Sequence, residues 1–343
     1  MSDLPHPRRP RYAGKNPRHF DLKYKEQRSD PLTLAKVLEA GKTPAGTHRP
    51  ILVAEILELL HPVPGEKFVD ATLGHGGHTS ALLPRLAPGG ELLALDLDPI
   101  EQPKTAARLR AAGFGEDRLH VRLSNYAGIG KALAELGWNG AHGILADLGL
   151  SSMQIDDPSR GFSVKFDGPL DMRINPQRGL SAQEFLATCD AATLADVLIE
   201  NADEPLAPLL AEALAGKKCV TTADLRALIG TALAHRPPDL LAPTVRRVFQ
   251  AIRIAVNQEF SSLDAFLRVL PFCLLPGGRV AILSFHSGED RRVKKAFQNG
   301  VREGLYADTN REVIRPTAAE QQSNPRSTPA KLRWAIRSTD FPG

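Results

Sequence analysis

The run Val69-Asp70-Ala71-Thr72-Leu73-Gly74-His75-Gly76-Gly77-His78 carries the strongest chemical signal in the chain. It joins a short apolar segment to a glycine-rich turn. Glycine backbone accepts positive φ and lets a ligand lie against the main chain. A pyrophosphate cradle prefers G-x-G-x-x-G, whose third glycine closes the following helix on its strand. Thr79 stands at that third position, so the turn suits an adenosyl ligand without phosphates. A second segment, Leu95-Asp96-Leu97-Asp98-Pro99, sets Asp96 twenty residues after Gly76. A carboxylate at that strand tip accepts both hydroxyls of a ribose, while Asp98-Pro99 reads equally as a helix start. A third segment, Asp147-Leu148-Gly149-Leu150-Ser151-Ser152-Met153-Gln154, ends another apolar run. Ligands of open α/β sheets sit outside the carboxyl ends of the strands. That sets Asp147 beside the ligand, although capping of a turn would account for it as well.

These segments need a scaffold that gathers strand ends, and the flanking pattern supplies one. Strands are expected at 67–72, 91–96, 119–123 and 142–147, with helices at 79–86, 101–112 and 130–136. The alternation predicts an α/β fold, a parallel sheet with helices on both faces. A helix opening at Pro50 precedes it. From about 156 to 244 the strands stop, and Ala- and Leu-rich stretches at 182–187, 191–200, 206–215 and 222–234 read as a helical insertion. One helical face then runs through Val245, Val248, Phe249, Ile252, Ala255, Val256 and Phe260. A strand follows at 279–285, a basic helix at 289–298, and a period-two strand at 331–337, expected in a hairpin. The expected layout is a basic, largely irregular extension (1–47), a ligand-binding domain (48–155 and 245–343) and the helical insertion (156–244).

Composition narrows the class. The 343 residues are 42% hydrophobic and 24% charged, which excludes a wholly disordered chain. No apolar run approaches the ~18 residues that span a bilayer, and the N-terminus lacks the apolar core of a secretory signal. Cys189, Cys219 and Cys273 are scattered without a C-x-x-C pair. They fit a reducing cytoplasm and argue against a disulfide framework or a cysteine zinc site. His75, His78 and His286 lack metal-ligand spacing, so no metal is expected. Residues 1–30 hold eight Lys/Arg against four Asp/Glu, the whole net charge of +4. Such an arm meets nucleic-acid phosphates or serves as a solvated tail.

The segments GHGGHT, LALDLDP, GILADLGLSSMQ, RGFSVKFDGPLDMR, VFQAIRIAVNQE, LSFHSGEDRRVKKAF and NPRSTPAKLR occur in this order. Together they resemble the RsmH (MraW) family over about residues 48–337. Its members are S-adenosylmethionine-dependent methyltransferases that modify the N4 amino group of a cytosine in small-subunit ribosomal RNA. The resemblance implies a class I, Rossmann-like methyltransferase domain interrupted by a helical substrate-recognition domain. It implies a cytoplasmic enzyme with no membrane partner, acting on the decoding region of 16S rRNA within the small ribosomal subunit, and leaves a homodimer open. Motif by motif, it implies cofactor contacts at Gly76, Gly77, His78, Asp96, Tyr126, Asp147 and Gln154. Tyr126 stands where members usually carry Phe and keeps the stacking face. Gly288 departs from the family's usual F-H-S-L-E-D-R. A methyltransferase of this fold with another substrate, or a ribosome assembly factor without activity, would share much of the pattern.

Methyl transfer from a sulfonium is an in-line displacement, so the protein mainly positions the nucleophile and disposes of a proton. Methylation of a cytosine carbon would need a cysteine nucleophile, and none of the three cysteines lies at a strand end. Amino methylation needs acceptors that grip the NH2 group. Asp147 with Ser151 and Ser152 forms one candidate set, and Asp167, Asp171 and Arg173 a second. A third follows the late strand: His286, Ser287, Glu289 and Asp290, of which the two acids also suit a helix N-terminus.

Overall fold

The structure, a computed structural model, describes residues 50–340; the whole of the expected extension at 1–47, including its basic arm, lies outside them. Seven strands form one sheet in the order β3-β2-β1-β4-β5-β7-β6. They are β1 (Lys67–Asp70), β2 (Glu91–Asp96), β3 (Leu119–Leu123), β4 (Ala141–Asp147), β5 (Leu274–Ser284), β6 (Tyr306–Thr309) and β7 (Lys331–Arg337). The first five are mutually parallel, and β7 runs antiparallel between β5 and β6. The expected α/β architecture is present, with β7 in the sheet and β6 beside it. The four-residue β6 was missed because its outward residues are polar.

Chain order reverses between β1 and β4. Strand β2 lies on one side of β1 and β4 on the other, which opens a crevice at their carboxyl ends. Strands buried on both faces read as continuous apolar runs, as Leu92 to Leu95 and Ile144 to Ala146 do. Helices α1 (Val53–Leu60), α2 (Gly77–Leu82) and α3 (Glu101–Ala111) accompany the first two strands, and α4 (Ile129–Glu135) precedes β4. Ile56, Leu60, Leu82 and Leu109 pack on one face of the sheet with Phe68 and Leu92. Ile129 and Leu133 pack on the other with Val69 and Ile144.

After β4 comes α5 (Ser152–Asp156), then a mostly irregular segment. Four helices follow: α6 (Ala182–Thr188), α7 (Ala191–Ala202), α8 (Ala207–Leu214) and α9 (Thr222–Ala232). They bury Leu186, Leu198, Leu210 and Ile229 in a core of their own, shared with Val248 and Ile252 of α10 (Leu241–Val256). The single helical face expected through Phe260 is broken. Helix α10 ends at Asn257, Gln258 turns left-handed at φ 51°, and α11 (Glu259–Cys273) starts in a new direction. Helix α11 returns its apolar face, Leu263, Phe266 and Leu270, to the sheet. There it is joined by Val293 and Phe297 of α12 (Ser287–Arg302).

Candidate active site

The turn after β1 is organised by Asp70. This buried carboxylate accepts the Thr79 hydroxyl at 2.7 Å and the Thr72 N–H at 3.1 Å, tying strand end to helix start. Thr79 is therefore the turn's internal clasp, which is why no third glycine is needed there. Burial pushes the Asp70 carboxyl above its ordinary pKa, against the Thr79 hydroxyl and the neighbouring His78. Gly76 sits at φ +67°, and a Cβ on it would stand 3.0 Å from the side chains of Leu109 and Thr105. A Cβ on Gly77 would meet Pro50 at 3.0 Å.

Asp96 ends β2 beside this turn. One carboxylate oxygen accepts the Gly74 N–H and the other the Asp98 N–H, each at 2.8 Å. Burial pushes its pKa to about 6, opposed by those two N–H donors. Across the crevice Asp147 ends β4. Its N–H donates to the Thr72 hydroxyl at 2.6 Å, and its carboxylate lies 3.5 Å from His78 Nε2. Ser151 and Gln154 form a reciprocal cap at the start of α5. The Gln154 amide also donates to Asp98 at 2.6 Å.

The crevice is a cavity of about 520 Å3, within the ~300–1,000 Å3 usual for small-molecule sites. Its far wall comes from the α10–α11 junction. Arg253 grips Glu259 through two bonds of 2.8 Å. Asn257 accepts the Ile174 N–H at 2.7 Å and donates to the Met172 carbonyl at 2.7 Å, fixing the loop that carries Asp171 and Arg173. Tyr126 sets its ring edge-on to Phe266 at 5.3 Å and donates its hydroxyl to the Glu259 carbonyl. Glu289, 3% exposed, accepts the Phe285 N–H at 2.8 Å and has His286 Nε2 at 3.1 Å from its other oxygen. Burial would raise the Glu289 pKa, but His286, the Phe285 N–H and Arg253 hold it below its ordinary value. A Cβ at residue 288 would stand 2.6 Å from the Phe260 ring, so Gly288 makes room for that aromatic. Arg326, paired with Asp156 at 2.8 Å, adds a last edge between Pro325 and Pro329.

Of the residues expected to hold the cofactor, Gly77, His78, Asp96, Tyr126, Asp147 and Gln154 line this cavity. Gly76 lies just behind the turn, packed on α3. Of the expected catalytic set, Asp147 and Ser151 line it, and Asp171, Arg173 and His286 do not. Asp171 and Arg173 are a bidentate pair at 2.7 and 2.8 Å. The pair holds the Asp171 carboxyl below its ordinary pKa against the effect of burial. The loop reaches the cavity through Ile174 instead. His286 caps α12, and Glu289 of the same turn is the cavity residue. Arg253, Asn257 and Glu259 were not anticipated. Their signals were the segment VFQAIRIAVNQE, which contains all three, and a polar i, i+4 pair on a helix otherwise sorted by its apolar face. Among the described residues there is no cluster of three metal-ligating side chains and no helix long and apolar enough to cross a membrane.

The model of the MraW methylase family matches residues 45–338. The ribosomal RNA small subunit methyltransferase H 1 of Agathobacter rectalis is 47% identical over 97% of this chain and 98% of its own length. The protein of the same name from Lachnoclostridium phytofermentans is 48% identical over 97% and 93%. Methyltransferase H 2 of Alkaliphilus metalliredigens is 48% identical over 96% and 97%. A match of this extent, on a chain whose strand-end turn, Asp96 and Asp147 meet in one cavity, establishes that the protein belongs to the MraW methylase family of S-adenosylmethionine-dependent methyltransferases.

Proposed function

We propose that this enzyme methylates the N4 amino group of a cytosine in the decoding region of 16S rRNA, within the small ribosomal subunit and in the cytoplasm. The observation that carries this is one cavity bordered by the glycine turn and Asp96 on one side and by the α10–α11 junction on the other. The residues present suit S-adenosylmethionine. The turn packs its backbone tightly on α3 and Pro50 through Gly76 and Gly77, and Gly74, His75 and Gly77 line the cavity. Asp96 keeps lone pairs for ribose hydroxyls beyond its two backbone donors. Tyr126 supplies an aromatic surface at the end of β3, and Asp147 and His78 border the opposite end. When bound, the cofactor supplies an electrophilic methyl group on a sulfonium.

The chain's own part is positioning and electrostatics. Strand ends hold the acceptor nitrogen in line with the methyl group, and carboxylates stabilise positive charge as it develops on that nitrogen. The apolar lining excludes water. The helical segment between β4 and β5, with the loop that Asn257 fixes, holds the RNA over the cavity. The test is nucleoside mass spectrometry of rRNA from cells lacking the gene. N4-methylated cytidine is expected to disappear and to return when the purified enzyme and S-adenosylmethionine are added to the hypomethylated subunits. Persistence at the normal level, with no restoration in vitro, would overturn the proposal.

A further inference from the structure

Most polar groups facing the cavity already have partners. Both oxygens of Asp96 take backbone N–H groups, both of Glu259 take Arg253, and Asn257 is engaged at both ends. Gln154 is tied at its oxygen to Ser151 and at its nitrogen to Asp98. Two charged groups on the far wall keep capacity. Arg253 uses Nε and Nη2 on Glu259, and its Nη1 has no hydrogen bond among the described residues. Glu289 accepts the Phe285 N–H through Oε2 and has His286 Nε2 at 3.1 Å from Oε1, so, like Asp96, it keeps further lone pairs on both oxygens. Both residues line the cavity, as do Phe260 and Phe285.

The Watson–Crick edge of cytosine presents an N–H donor at N4 beside an acceptor at N3. A carboxylate next to a guanidinium nitrogen is its complement. Uracil presents the reverse, an O4 acceptor beside an N3–H donor, and would set its carbonyl oxygen against the carboxylate. Aromatic side chains beside such a pair suit a base swung out of its stack. From the presence of both groups in one cavity wall we infer that Glu289 accepts the N4–H of the target cytosine, that Arg253 donates to its N3, and that Glu289 takes the N4 proton after methyl transfer. The N4 lone pair forms the carbon–nitrogen bond as the sulfur–methyl bond breaks and its electron pair returns to sulfur. N4 is then cationic and gives up one proton to the Glu289 carboxylate, which passes it to solvent when product leaves. A nitrogen so charged is acidic enough to protonate even a carboxylate held in its ionised state. Asp147, whose carboxylate lies 3.5 Å from His78 Nε2, is left to the cofactor.

The assignment rests on the cytosine-N4 function proposed above, so the wild-type enzyme is assayed first. If it forms no N4-methylcytidine on hypomethylated subunits, that function fails. If it does, Glu289→Gln tests the inference. The glutamine oxygen can still accept the Phe285 N–H, but the amide cannot take a proton. Turnover is expected to fall at least ~100-fold, with S-adenosylmethionine affinity by calorimetry within about threefold of wild type. Subunits carrying uridine at the target should compete at least ~tenfold more weakly than cytidine subunits for the wild type. That gap should narrow in Glu289→Gln, whose amide can donate to O4; a merely structural role would not move it. Three results would each overturn the inference: turnover within tenfold of wild type, a loss of cofactor affinity matching the loss of turnover, or an unchanged gap. Should Glu289→Gln not fold, Glu289→Asp retains a shortened acceptor. It is expected to keep the preference for cytidine at reduced turnover, and equal competition by the two subunits would refute the assignment.

Discussion

Arg160 joins the two sides of the cavity, and its removal has a calculable cost. It is 7% exposed, and its Nη1 donates at 2.9 Å to Asp98, which is fully buried. Its Nη2 donates to the carbonyls of Ile174 at 2.7 Å and Arg173 at 3.3 Å. Asp98 in turn caps α3 through the Ile100 and Glu101 N–H groups and gives its own N–H to Asp96. Arg160→Met keeps bulk and apolar stem but leaves a buried carboxylate without its counter-charge and two carbonyls without a donor. Breaking one side of a buried pair costs about 3–5 kcal/mol, a large part of the ~5–15 kcal/mol by which a domain is stable. Asp98 keeps three other donors, so the lower end of that range is expected. Urea denaturation near pH 7.5 measures it. The Asp98→Asn and Arg160→Met double variant should lose less than the sum of the two single losses, by roughly 1–3 kcal/mol, because the residues share one interaction. Because Asp98 supports Asp96, Arg160→Met should also weaken S-adenosylmethionine binding. An unfolding free energy within about 1 kcal/mol of wild type, or strict additivity in the double variant, would refute this account.

The Asp96 carboxyl, raised to about 6, must be ionised to accept ribose hydroxyls well. Cofactor affinity by calorimetry should therefore fall as pH drops from about 7.5 through 6, and Asp96→Asn should bind weakly at every pH without that dependence. Asn257→Ala removes bonds to Ile174, Met172 and Arg253. It should cost about 1–3 kcal/mol of stability and lower turnover on subunits at least tenfold while Asp171→Asn, at a pair outside the cavity, lowers it less. Deleting residues 1–30, which carry the chain's net charge of +4, should weaken RNA binding and flatten its dependence on salt; an unchanged salt slope would show that the arm does not touch phosphate.

What could be read from the sequence was what the chain encodes locally. The Gly74–His78 turn, Asp96 and Asp147 each end an apolar run, and a parallel sheet brings such ends together whatever the rest of the chain does. Two helix caps went unread although their three-residue spacing carries the signal: Ser151 with Gln154 and Ser181 with Glu184 form reciprocal pairs. Thr79 rightly pointed to an adenosyl ligand without phosphates, but its bond to Asp70, nine residues away across a turn, was not legible. The far wall was not legible. Arg253, Asn257 and Glu259 sit at a break between two helices, and the apolar period runs through that break to Phe260 without a sign of it.

The break follows from what these polar residues bind. A continuous helix would hold the Asn257 amide and the Arg253 guanidinium in solvent register with their own helix. Here Asn257 is turned onto the 172–174 backbone and Arg253 onto the first turn of the next helix. These contacts lie 83 and 85 residues apart for Asn257 but only six for Arg253. The loop that Asn257 fixes is therefore the long-range partner, and the Arg253–Glu259 pair is the local pin that keeps the junction bent. The same bend keeps Arg253 in the cavity wall that Glu289 also lines, so one short irregularity builds that wall and anchors the loop at 172–174. Of the cofactor cradle, the glycine turn takes no hydrogen bond from the junction among the described residues, and Tyr126 donates one, to the Glu259 carbonyl. Substitutions at the junction should thus separate RNA-dependent turnover from cofactor binding, whereas substitutions in the Gly74–His78 turn should abolish both.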